Sequence, residues 1–262
     1  MATTPWGDCG PQAMCAPVDE RHDNDWASFL SDRRVRLRKR EALFRPGDCS
    51  AALYLLRVGF IMTMMPTPDG AEHVLGFHLP GELVGVEGMG KDAHTCNALA
   101  LEDSEVCVLP ILGICKVARE DMLFQRHLYR LLSCAIVEER RVALMLGTMR
   151  AEQRVASFLL DLGTRYGKRG YSSTAYLLRM TRAHIGSHLG LKLETVSRLL
   201  SRFAEEGLIG VNGREIRLLN PIEMEHLVTN SEPIGRQRWC QRPPRGTGST
   251  RVARHGGNVS RD

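Results

Sequence analysis

The sequence predicts an α+β protein with an N-terminal β jelly roll, a long central helix and a C-terminal winged helix-turn-helix. Three observations carry this prediction. Glycines separate short strand-like runs in the first half of the chain, an apolar stripe with helical spacing follows, and two helices joined by a glycine precede a hairpin. With 262 residues, the chain has room for about two domains.

The jelly roll is predicted from runs in the first half of the chain. FRPGDCSAALYLLRVGF over residues 44–60, PDG over 68–70 and FHLPGELVG over 77–85 place glycines between apolar stretches, as the hairpins of a small roll require. A jelly roll can also be an enzyme with a metal site. The sequence argues against that class, because its histidines lack the clustered spacing of metal ligands (His73, His78 and His94).

A long helix is predicted between the roll and the C-terminal domain, over about Asp121 to Met149. Its apolar positions alternate in steps of four and three, the a/d spacing of a two-stranded coiled coil, which predicts a homodimer. A stripe of this kind also suits a helix that packs only on its own domain. The predicted seam consists of Leu128, Leu132, Ala135, Glu139, Val142 and Leu146.

A helix-turn-helix and a wing are predicted over residues 181–218. The first helix, about Arg182 to Leu189, ends at Gly190, which permits the tight turn between two crossed helices. Farther on, Asn212-Gly213 is a strong hairpin signal. A plain αα-hairpin with a solvated face is the simpler alternative, but it does not account for the wing. The strands of the hairpin are expected at Leu208 to Val211 and Glu215 to Leu218.

The second helix has one apolar and one polar face at about 100° per residue. Its polar face carries three base-reading chemistries within one turn: Arg198 can hold guanine O6 and N7, Glu194 can accept from cytosine N4, and the Ser197 hydroxyl can bond to either strand. Lys192 replaces the usual Thr or Ser helix cap, which costs stability but places a cation near phosphate. We therefore expect this helix to read double-stranded DNA. The apolar face consists of Val196, Leu199, Leu200 and Phe203.

Charge is distributed unevenly along the chain. The net charge of +5 divides into −4 over residues 1–149, +4 over 150–228 and +5 over 229–262. A basic second half fits an anionic partner. The last segment is rich in Pro, Gly, Ser and Arg and has too little apolar surface to order itself, so we expect a disordered tail. Its seven arginines either stay solvated or add nonspecific phosphate contacts.

The cellular location follows from what the chain lacks. No apolar run approaches the ~18 to 20 residues of a membrane span, and the N-terminus MATTPWGDCG has no basic stretch followed by an apolar one, as a secretory signal requires. The sequence therefore predicts a cytoplasmic protein with no membrane partner. In that compartment eight cysteines argue against a disulfide framework and leave metal binding, thiol redox chemistry or plain packing.

In their order and spacing, these motifs resemble the CRP/FNR family of regulators over about residues 6–228. The resemblance implies a cyclic-nucleotide-binding-like jelly roll as the sensor, a homodimer formed by the long helix, DNA as the target and RNA polymerase as a partner. Two recognition helices would then meet half-sites about one DNA turn apart. We accordingly divide the chain into 1–30, an N-terminal segment with cysteines; 31–118, the sensor roll; 119–149, the dimerisation helix; 150–228, the winged helix-turn-helix; and 229–262, the basic tail.

Two stretches indicate the branch of the family. After GEL, a cyclic-AMP regulator places an Arg-Ser pair that holds the phosphate, whereas this chain has His94-Thr95, so cyclic AMP is not the expected ligand. Leu193 and Ser197 stand where the cyclic-AMP receptor has Arg and Gly. Both differences resemble the fumarate-nitrate regulator (FNR) branch, whose E-x-x-S-R reads TTGAT-like half-sites. The expected DNA-binding residues are Glu194, Ser197, Arg198, Thr195, Arg182, Lys192 and Ser201.

Glu139 is the charged member of the predicted seam. In a parallel dimer two Glu139 carboxylates face one another and repel, unless one is protonated or paired. The family's oxygen-responsive members resemble this arrangement, since they use an acidic seam residue to weaken the dimer until the signal arrives. The alternative is that Arg140 or Arg141 neutralises Glu139.

The FNR branch senses oxygen with a 4Fe-4S cluster on three N-terminal cysteines and one cysteine of the sensor domain. Here WGDCGPQAMC places Trp6, Cys9 and Cys15 at the N-terminal positions, and SEVCVLP places Cys107 at the distant one. The resemblance thus implies a candidate metal site of three cysteines with Trp6 at the fourth position. Indole does not ligate iron as a thiolate does, so a cluster needs a substitute ligand or is absent. The candidate substitutes are Asp8, Cys96 and Cys49.

Two alternatives stay open for the three cysteines: a thiol redox switch, or no sensory role. Cys115, Cys134 and Cys96 lie among apolar residues and are expected to be small buried hydrophobes. For the whole chain, the rival to a DNA-binding regulator is a dimeric interaction factor whose winged helix is inert toward DNA. The polar face of the second helix argues against that rival.

Overall fold

The computed structural model describes residues 33–67 and 70–229. Its first part is a roll of eight strands, which form two four-stranded antiparallel sheets and confirm the predicted jelly roll. The strands are β1 (Arg34–Leu37), β2 (Ala42–Phe44), β3 (Ala52–Val58), β4 (Ile61–Pro66), β5 (Glu72–His78), β6 (Leu83–Val84), β7 (Asn97–Ala100) and β8 (Ser104–Pro110). Their orders in the two sheets are β1-β8-β3-β6 and β2-β7-β4-β5.

An apolar layer fills the space between the two sheets. Leu56 of β3 and Ile61 of β4 are both fully buried there. Gly59 joins these strands with φ +98°, and an added Cβ would lie 2.2 Å from Ser104 Oγ, so glycine alone fits this hairpin. The buried members of the layer are Leu37, Phe44, Leu56, Ile61, Val84, Cys96, Ala98, Ala100 and Val106.

Two helices follow the roll, α1 (Ile111–Glu120) and α2 (Met122–Thr148). The carboxylate of Asp121 caps α2 by accepting from the backbone N–H of Leu123 at 2.8 Å and of Phe124 at 3.1 Å. The long helix therefore lies where its spacing predicts it. The apolar pattern did not indicate α1, which spans the expected boundary between residues 118 and 119. Among the described residues, α2 and every other helix is too short or too polar to cross a membrane.

The C-terminal domain confirms the predicted winged helix-turn-helix. Its wing is a sheet of three antiparallel strands in the order β10-β11-β9, with the bounds given below. The hairpin signal alone did not predict β9, and α6 was not predicted either. Because α6 ends at Thr229, the expected tail begins on its last residue; the remainder of that tail and residues 1–32 lie outside the described residues. The elements are α3 (Ala151–Gly167), β9 (Ala175–Leu177), α4 (Arg182–Leu189), α5 (Leu193–Glu205), β10 (Ile209–Asn212), β11 (Glu215–Leu218) and α6 (Pro221–Thr229).

The two domains share one apolar core. Phe77 and Leu79 of the sensor domain belong to the same buried cluster as Leu159 of α3 and Ile185 of α4. All four side chains are at most 5% exposed. The helix-turn-helix is therefore packed directly on the sensor sheet, on the side of β4 and β5.

Candidate DNA-binding site

Two glycines make the turn between α4 and α5 possible. Gly190 ends α4 with φ +62°, in the left-handed region. Inside α4, a Cβ added to Gly186 would lie 2.6 Å from the carbonyl oxygen of Leu191, so a larger residue would push the turn away from the helix. At the start of α4, Thr181 Oγ1 accepts from the backbone N–H of His184 at 3.1 Å. Local sequence thus sets the geometry of the helix-turn-helix.

Helix α5 has the two faces that its sequence predicts. Val196 and Phe203 are fully buried, Leu200 is 2% exposed and Leu199 9% exposed. The expected base-reading residues lie on the opposite side, where Glu194 and Arg198 are exposed and Ser197 is half-buried. Of the remaining expected DNA-binding residues, Lys192 and Ser201 are exposed, and Thr195 and Arg182 are half-buried.

The two arginines of α5 have different environments. Arg202 lies 2.5 Å from the Glu152 carboxylate of α3 and 3.6 Å from Glu206, so it anchors α5 to the domain. Arg198 is exposed and takes part in none of the salt bridges of residues 33–67 and 70–229. The anchoring role of Arg202 was not predicted, although its i, i+4 spacing from Glu206 was a readable signal. Arg198 is the α5 arginine available to a base.

The hairpin of the wing turns one residue later than the Asn212-Gly213 pair predicts. Asn212 still pairs with Glu215 in the β10–β11 ladder, so Gly213 and Arg214 form the two-residue turn. Gly213 has φ +59°, the conformation that such hairpin turns require. The Arg214 carbonyl accepts from the Leu178 N–H at 2.8 Å, which ties the turn to the chain after β9.

Helix α2 carries apolar residues on more than one face. Of the predicted seam, Leu128 packs on the sensor cluster around Phe124, and Val142 packs on the core shared by the domains. A second stripe with seven-residue spacing is exposed: Met122 at 77%, Tyr129 at 59% and Ile136 at 51%. The other members of the predicted seam are Leu132, Ala135 and Leu146, which are half-buried, and Glu139, which is exposed.

Arg141 is engaged away from Glu139. Its guanidinium lies 2.7 Å from Asp161 of α3 and 2.9 Å from Glu138. No salt bridge among the described residues includes Glu139. Within one chain, Arg141 therefore joins α2 to α3 and is not the neutralising partner of Glu139.

His94, which the resemblance places where a cyclic-AMP regulator has arginine, is buried in the sensor domain. His94 is 2% exposed, and its ring stacks on Phe44 with centroids 3.6 Å apart and planes 8° apart. Its Nδ1 lies 3.0 Å from the Glu87 carboxylate, which also accepts from Cys96 Sγ at 3.3 Å. Burial and the nearby Glu87 raise the pKa of the Cys96 thiol to about 12. This interior is closely packed and holds Cys96 as a neutral thiol.

Two family models match the chain: a cyclic nucleotide-binding domain over residues 34–120 and a Crp-like helix-turn-helix domain over residues 153–227. The transcriptional regulatory protein btr of Bordetella pertussis is 43% identical over 84% of this chain and 89% of its own length. The fumarate and nitrate reduction regulatory protein of Escherichia coli is 36% identical over 87% of this chain and 91% of its own length. The chain belongs to the CRP/FNR family.

This CRP/FNR regulator also matches the solved structure of FixK2 from Bradyrhizobium japonicum. The identity is 30% and the TM-score 0.70, over 76% of this chain and 98% of that chain. Regulators of the family with this helix-turn-helix bind DNA and act as dimers. The protein is thus an FNR-type, sequence-specific DNA-binding transcription regulator, as its sequence predicts.

Cys107, the candidate sensor-domain ligand of the FNR branch, lies in β8 and is 6% exposed. Its neighbours across the sheet are Arg34 on β1 and Leu55 on β3. Because β1 opens the described chain, Cys107 lies one strand away from the point where residues 1–32 join the roll. The other expected members of the site lie outside the described residues: Trp6, Cys9, Cys15 and Asp8.

The remaining cysteines are spread over the sensor domain and the helices. Cys96 lies between the sheets, as expected of a buried hydrophobe, and Cys49 is exposed. The expectation that Cys115 is buried is wrong, because it lies on the solvent side of α1; Cys134 on α2 is half-buried. Within residues 33–67 and 70–229, no three His, Cys, Asp or Glu side chains are grouped so as to hold a metal ion. A site on Cys107 would therefore need ligands from the N-terminal segment.

Proposed function

We propose that this regulator binds, as a homodimer, a pseudo-palindrome of TTGAT-like half-sites. The observation that carries the proposal is the polar face of α5: Glu194 and Arg198 are exposed there and form no salt bridge among the described residues, and the opposite, apolar face is at most 9% exposed. An α-helix with an exposed polar face fits the major groove, where base edges present distinct donor and acceptor patterns.

Each side chain of this face has a role that follows from its chemistry. Arg198 donates both guanidinium hydrogens of its fork to guanine O6 and N7, Glu194 accepts from cytosine N4, and Ser197 bonds to a neighbouring base. Lys192 and Arg182 stand at the N-terminal ends of α5 and α4, where cations meet phosphates. Thr195 and Ser201 flank the reading residues with hydroxyl groups.

Fluorescence anisotropy with two matched duplexes tests the proposed site. One duplex carries two TTGAT half-sites as a palindrome, and the other differs only in the guanine of each half-site. We expect the altered duplex to bind more weakly by ~1 to 3 kcal/mol per half-site. Equal binding to the two duplexes would overturn base reading by α5.

The dimer, we infer, forms along the exposed stripe of α2. Tyr129 and Ile136 supply one set of seam positions, and Leu132 and Glu139, each three residues farther along, supply the other. Leu128 and Val142, from the sequence-predicted seam, instead hold α2 on its own domains. In a parallel pair Glu139 faces its own copy, and this repulsion weakens the dimer.

Substitution of Glu139→Ala tests the arrangement. Removing two facing carboxylates should strengthen dimerisation, as measured by sedimentation equilibrium. Glu138→Ala is the matched control, because the Glu138 carboxylate pairs with Arg141 on another face of the helix. A weaker dimer for Glu139→Ala would mean that Glu139 is paired across the interface and stabilises it.

Cys9, Cys15 and Cys107, we propose, form one oxygen- or redox-sensitive site. The burial of Cys107 one strand from the N-terminal segment supports a shared site, and a 4Fe-4S cluster held there would supply sensitivity to oxygen. With Trp6 in the first ligand position, a thiol redox switch is the alternative. Cyclic AMP is not the proposed signal, because the resemblance expects a phosphate-binding arginine where this chain has His94, whose ring is buried against Phe44.

Anaerobic purification, iron and sulfide assays and a visible spectrum distinguish these sensors. A cluster predicts iron in the wild type and its loss in Cys107→Ser, whereas Cys115→Ser, at an exposed position on α1, should retain it. Absence of iron would show that Trp6 has removed the cluster. If oxidant and Cys107→Ser then also leave DNA binding unchanged, the redox alternative fails as well.

RNA polymerase, we infer, is the partner of the DNA-bound dimer, and the protein acts in the cytoplasm without catalytic activity of its own. The support is the family, since the relatives from Bordetella pertussis and Escherichia coli are regulatory proteins. In vitro transcription from a promoter carrying the palindrome should change when the protein is added. Unchanged transcript levels on DNA that the protein occupies would overturn the polymerase partnership.

A further inference from the structure

The first helix of the helix-turn-helix lies against the outer edge of the sensor sheet. Ser187 Oγ of α4 accepts from the backbone N–H of Val74 at 2.9 Å and donates to the carbonyl of Glu72 at 3.2 Å. Since β5 is the edge strand of its sheet, Ser187 takes the place of a neighbouring strand at this point. The orientation of α4 is thereby tied to β5.

An aromatic group continues this contact into the interior. The ring of His188 lies 5.3 Å from that of Phe77 and 6.0 Å from that of Phe158, in edge-to-face geometry. Burial lowers the pKa of His188, so the imidazole packs as a neutral ring. Its Nδ1 also lies 3.4 Å from the Val74 carbonyl oxygen, so the contacts of Ser187 and His188 position the domains through neutral groups.

The strong bonds come from one carboxylate, that of Glu82. Its two oxygens accept from Arg165 at 2.6 and 3.2 Å and from Arg169 at 2.5 Å, and Oε2 also accepts from the Leu79 N–H at 3.2 Å. The same two arginines donate to the carbonyls of Phe77 and Pro80. Glu82 is 27% exposed, Arg165 24% and Arg169 14%, so solvent screens the cluster little.

Glu82 is also close, along the chain, to the packed interior of the sensor. Five residues later, Glu87 accepts from His94 and Cys96. The backbone around Glu87 lies close to its neighbours, since a Cβ added to Gly85 would lie 3.1 Å from His94 and one added to Gly88 would lie 1.9 Å from Ser50 Oγ. We expect this short, closely packed segment to pass a shift of the sensor interior on to Glu82.

We propose that Glu82, held by Arg165 and Arg169, is an interdomain clamp that fixes the DNA-binding domain on the sensor domain and transmits the position of residues 79–88 to the recognition helix. The transmission runs through α3, whose C-terminal half carries Arg165, with Arg169 two residues beyond its end. The N-terminal half of α3 holds α5 through the Glu152–Arg202 pair. The effect of this clamp on DNA binding rests on the proposed function, whereas the contact between the two domains does not.

Glu82→Gln in the full chain tests the domain contact by hydrogen exchange. The amide of Val74 should exchange roughly tenfold faster or more, because α4 no longer stays on β5, while the amides of β3 and β8 keep their protection. Glu105→Gln is the matched control: Glu105 also bridges two arginines, Arg34 and Arg36, but all three lie on the sensor domain. Unchanged exchange at Val74 in Glu82→Gln would overturn the clamp.

The DNA readout uses palindromes whose half-sites are correctly spaced or moved apart by two base pairs. Releasing the clamp should lower affinity for the correct spacing by roughly tenfold and change binding to the altered spacing less, because the recognition helices lose their pre-set separation. A wild type that fails to bind either duplex rejects the proposed function and leaves the exchange result to decide the clamp. Equal spacing discrimination in wild type and Glu82→Gln overturns transmission to the recognition helix.

A second variant covers the case in which Glu82→Gln does not fold. Arg165→Lys keeps the charge but loses the bidentate hydrogen bonding to Glu82. The exchange of Val74 should therefore be faster and the spacing discrimination weaker than in the wild type, by smaller amounts than in Glu82→Gln. Circular dichroism establishes that the variant is folded. A folded Arg165→Lys protein with wild-type exchange and discrimination would overturn the proposal.

Discussion

Helices α5 and α3 both carry arginines of the basic second half, and they use them in opposite ways. On α5, Arg198 is exposed and forms no salt bridge within the described residues; on α3 and just after its end, Arg165 and Arg169 both hold Glu82 of the sensor domain. A net charge of +4 over residues 150–228 fits an anionic partner, yet part of that charge is neutralised inside the protein. Net charge therefore indicates the kind of partner, and only the unpaired cations locate the surface that meets it.

The largest expected effect comes from removing the free arginine. Arg198→Ala should weaken binding to the palindrome by ~1 to 3 kcal/mol per half-site and relax discrimination at one guanine in each. The affinities for duplexes with each base at that position measure both effects. An equal loss on all sequences would mean that Arg198 contacts a phosphate.

The paired arginine of the same helix is the control. Arg202→Ala leaves the Glu152 carboxylate, 12% exposed, without its partner, so the melting temperature should fall while the ratio of affinities for different bases is kept. If Arg202→Ala relaxes discrimination as much as Arg198→Ala does, the distinction between free and paired arginines fails.

The second-largest expected effect is that acid removes the stability contributed by Glu82 and its two arginines, Arg165 and Arg169. Burial alone would raise the pKa of Glu82, but the charges of Arg165 and Arg169 and the hydrogen bond from Arg165 outweigh it and lower the pKa to about 2. A carboxylate whose pKa is lower in the folded than in the unfolded protein stabilises the fold at pH values above its unfolded pKa. This contribution, on the order of 3 kcal/mol, is therefore present at neutral pH. It should be lost as pH falls from about 4.5 toward 2.

Denaturant unfolding of the wild type and Glu82→Gln across that pH range measures the contribution. The difference in unfolding free energy between the two proteins should shrink as pH falls, because Gln cannot titrate. A difference that stays constant between pH 5 and 3 would mean that the carboxylate is not held by its arginines.

The smallest expected effect concerns Lys192, which precedes α5 and makes no side-chain cap. Lys192→Thr should add about 1 kcal/mol of stability by capping the helix. It should also reduce the salt dependence of DNA binding by about one phosphate contact per subunit while leaving base discrimination unchanged. Thermal melts and anisotropy titrations at several salt concentrations report the two changes.

The long helix shows where the pattern of apolar residues stops being sufficient. Alternating steps of four and three predicted a seam that includes Leu128 and Val142, yet both pack on the helix's own domains. The exposed stripe of Met122, Tyr129 and Ile136 was equally readable as a seven-residue repeat. A helix with apolar residues on two faces has two possible partners, and its sequence does not say which face meets which.

By itself, the sequence determined the elements whose contacts are local: the helix-turn-helix with Gly190 at its turn, the buried and exposed faces of α5 and the hairpins of the roll. It also determined the family. Only the tertiary structure decided which arginines are paired, which residues of α2 pack on the chain's own domains, and that Glu82 joins two domains. Contacts between residues three or four apart follow from helical geometry. A contact such as that of Glu82 with Arg165 depends on the path of the whole chain between them, which no local pattern records.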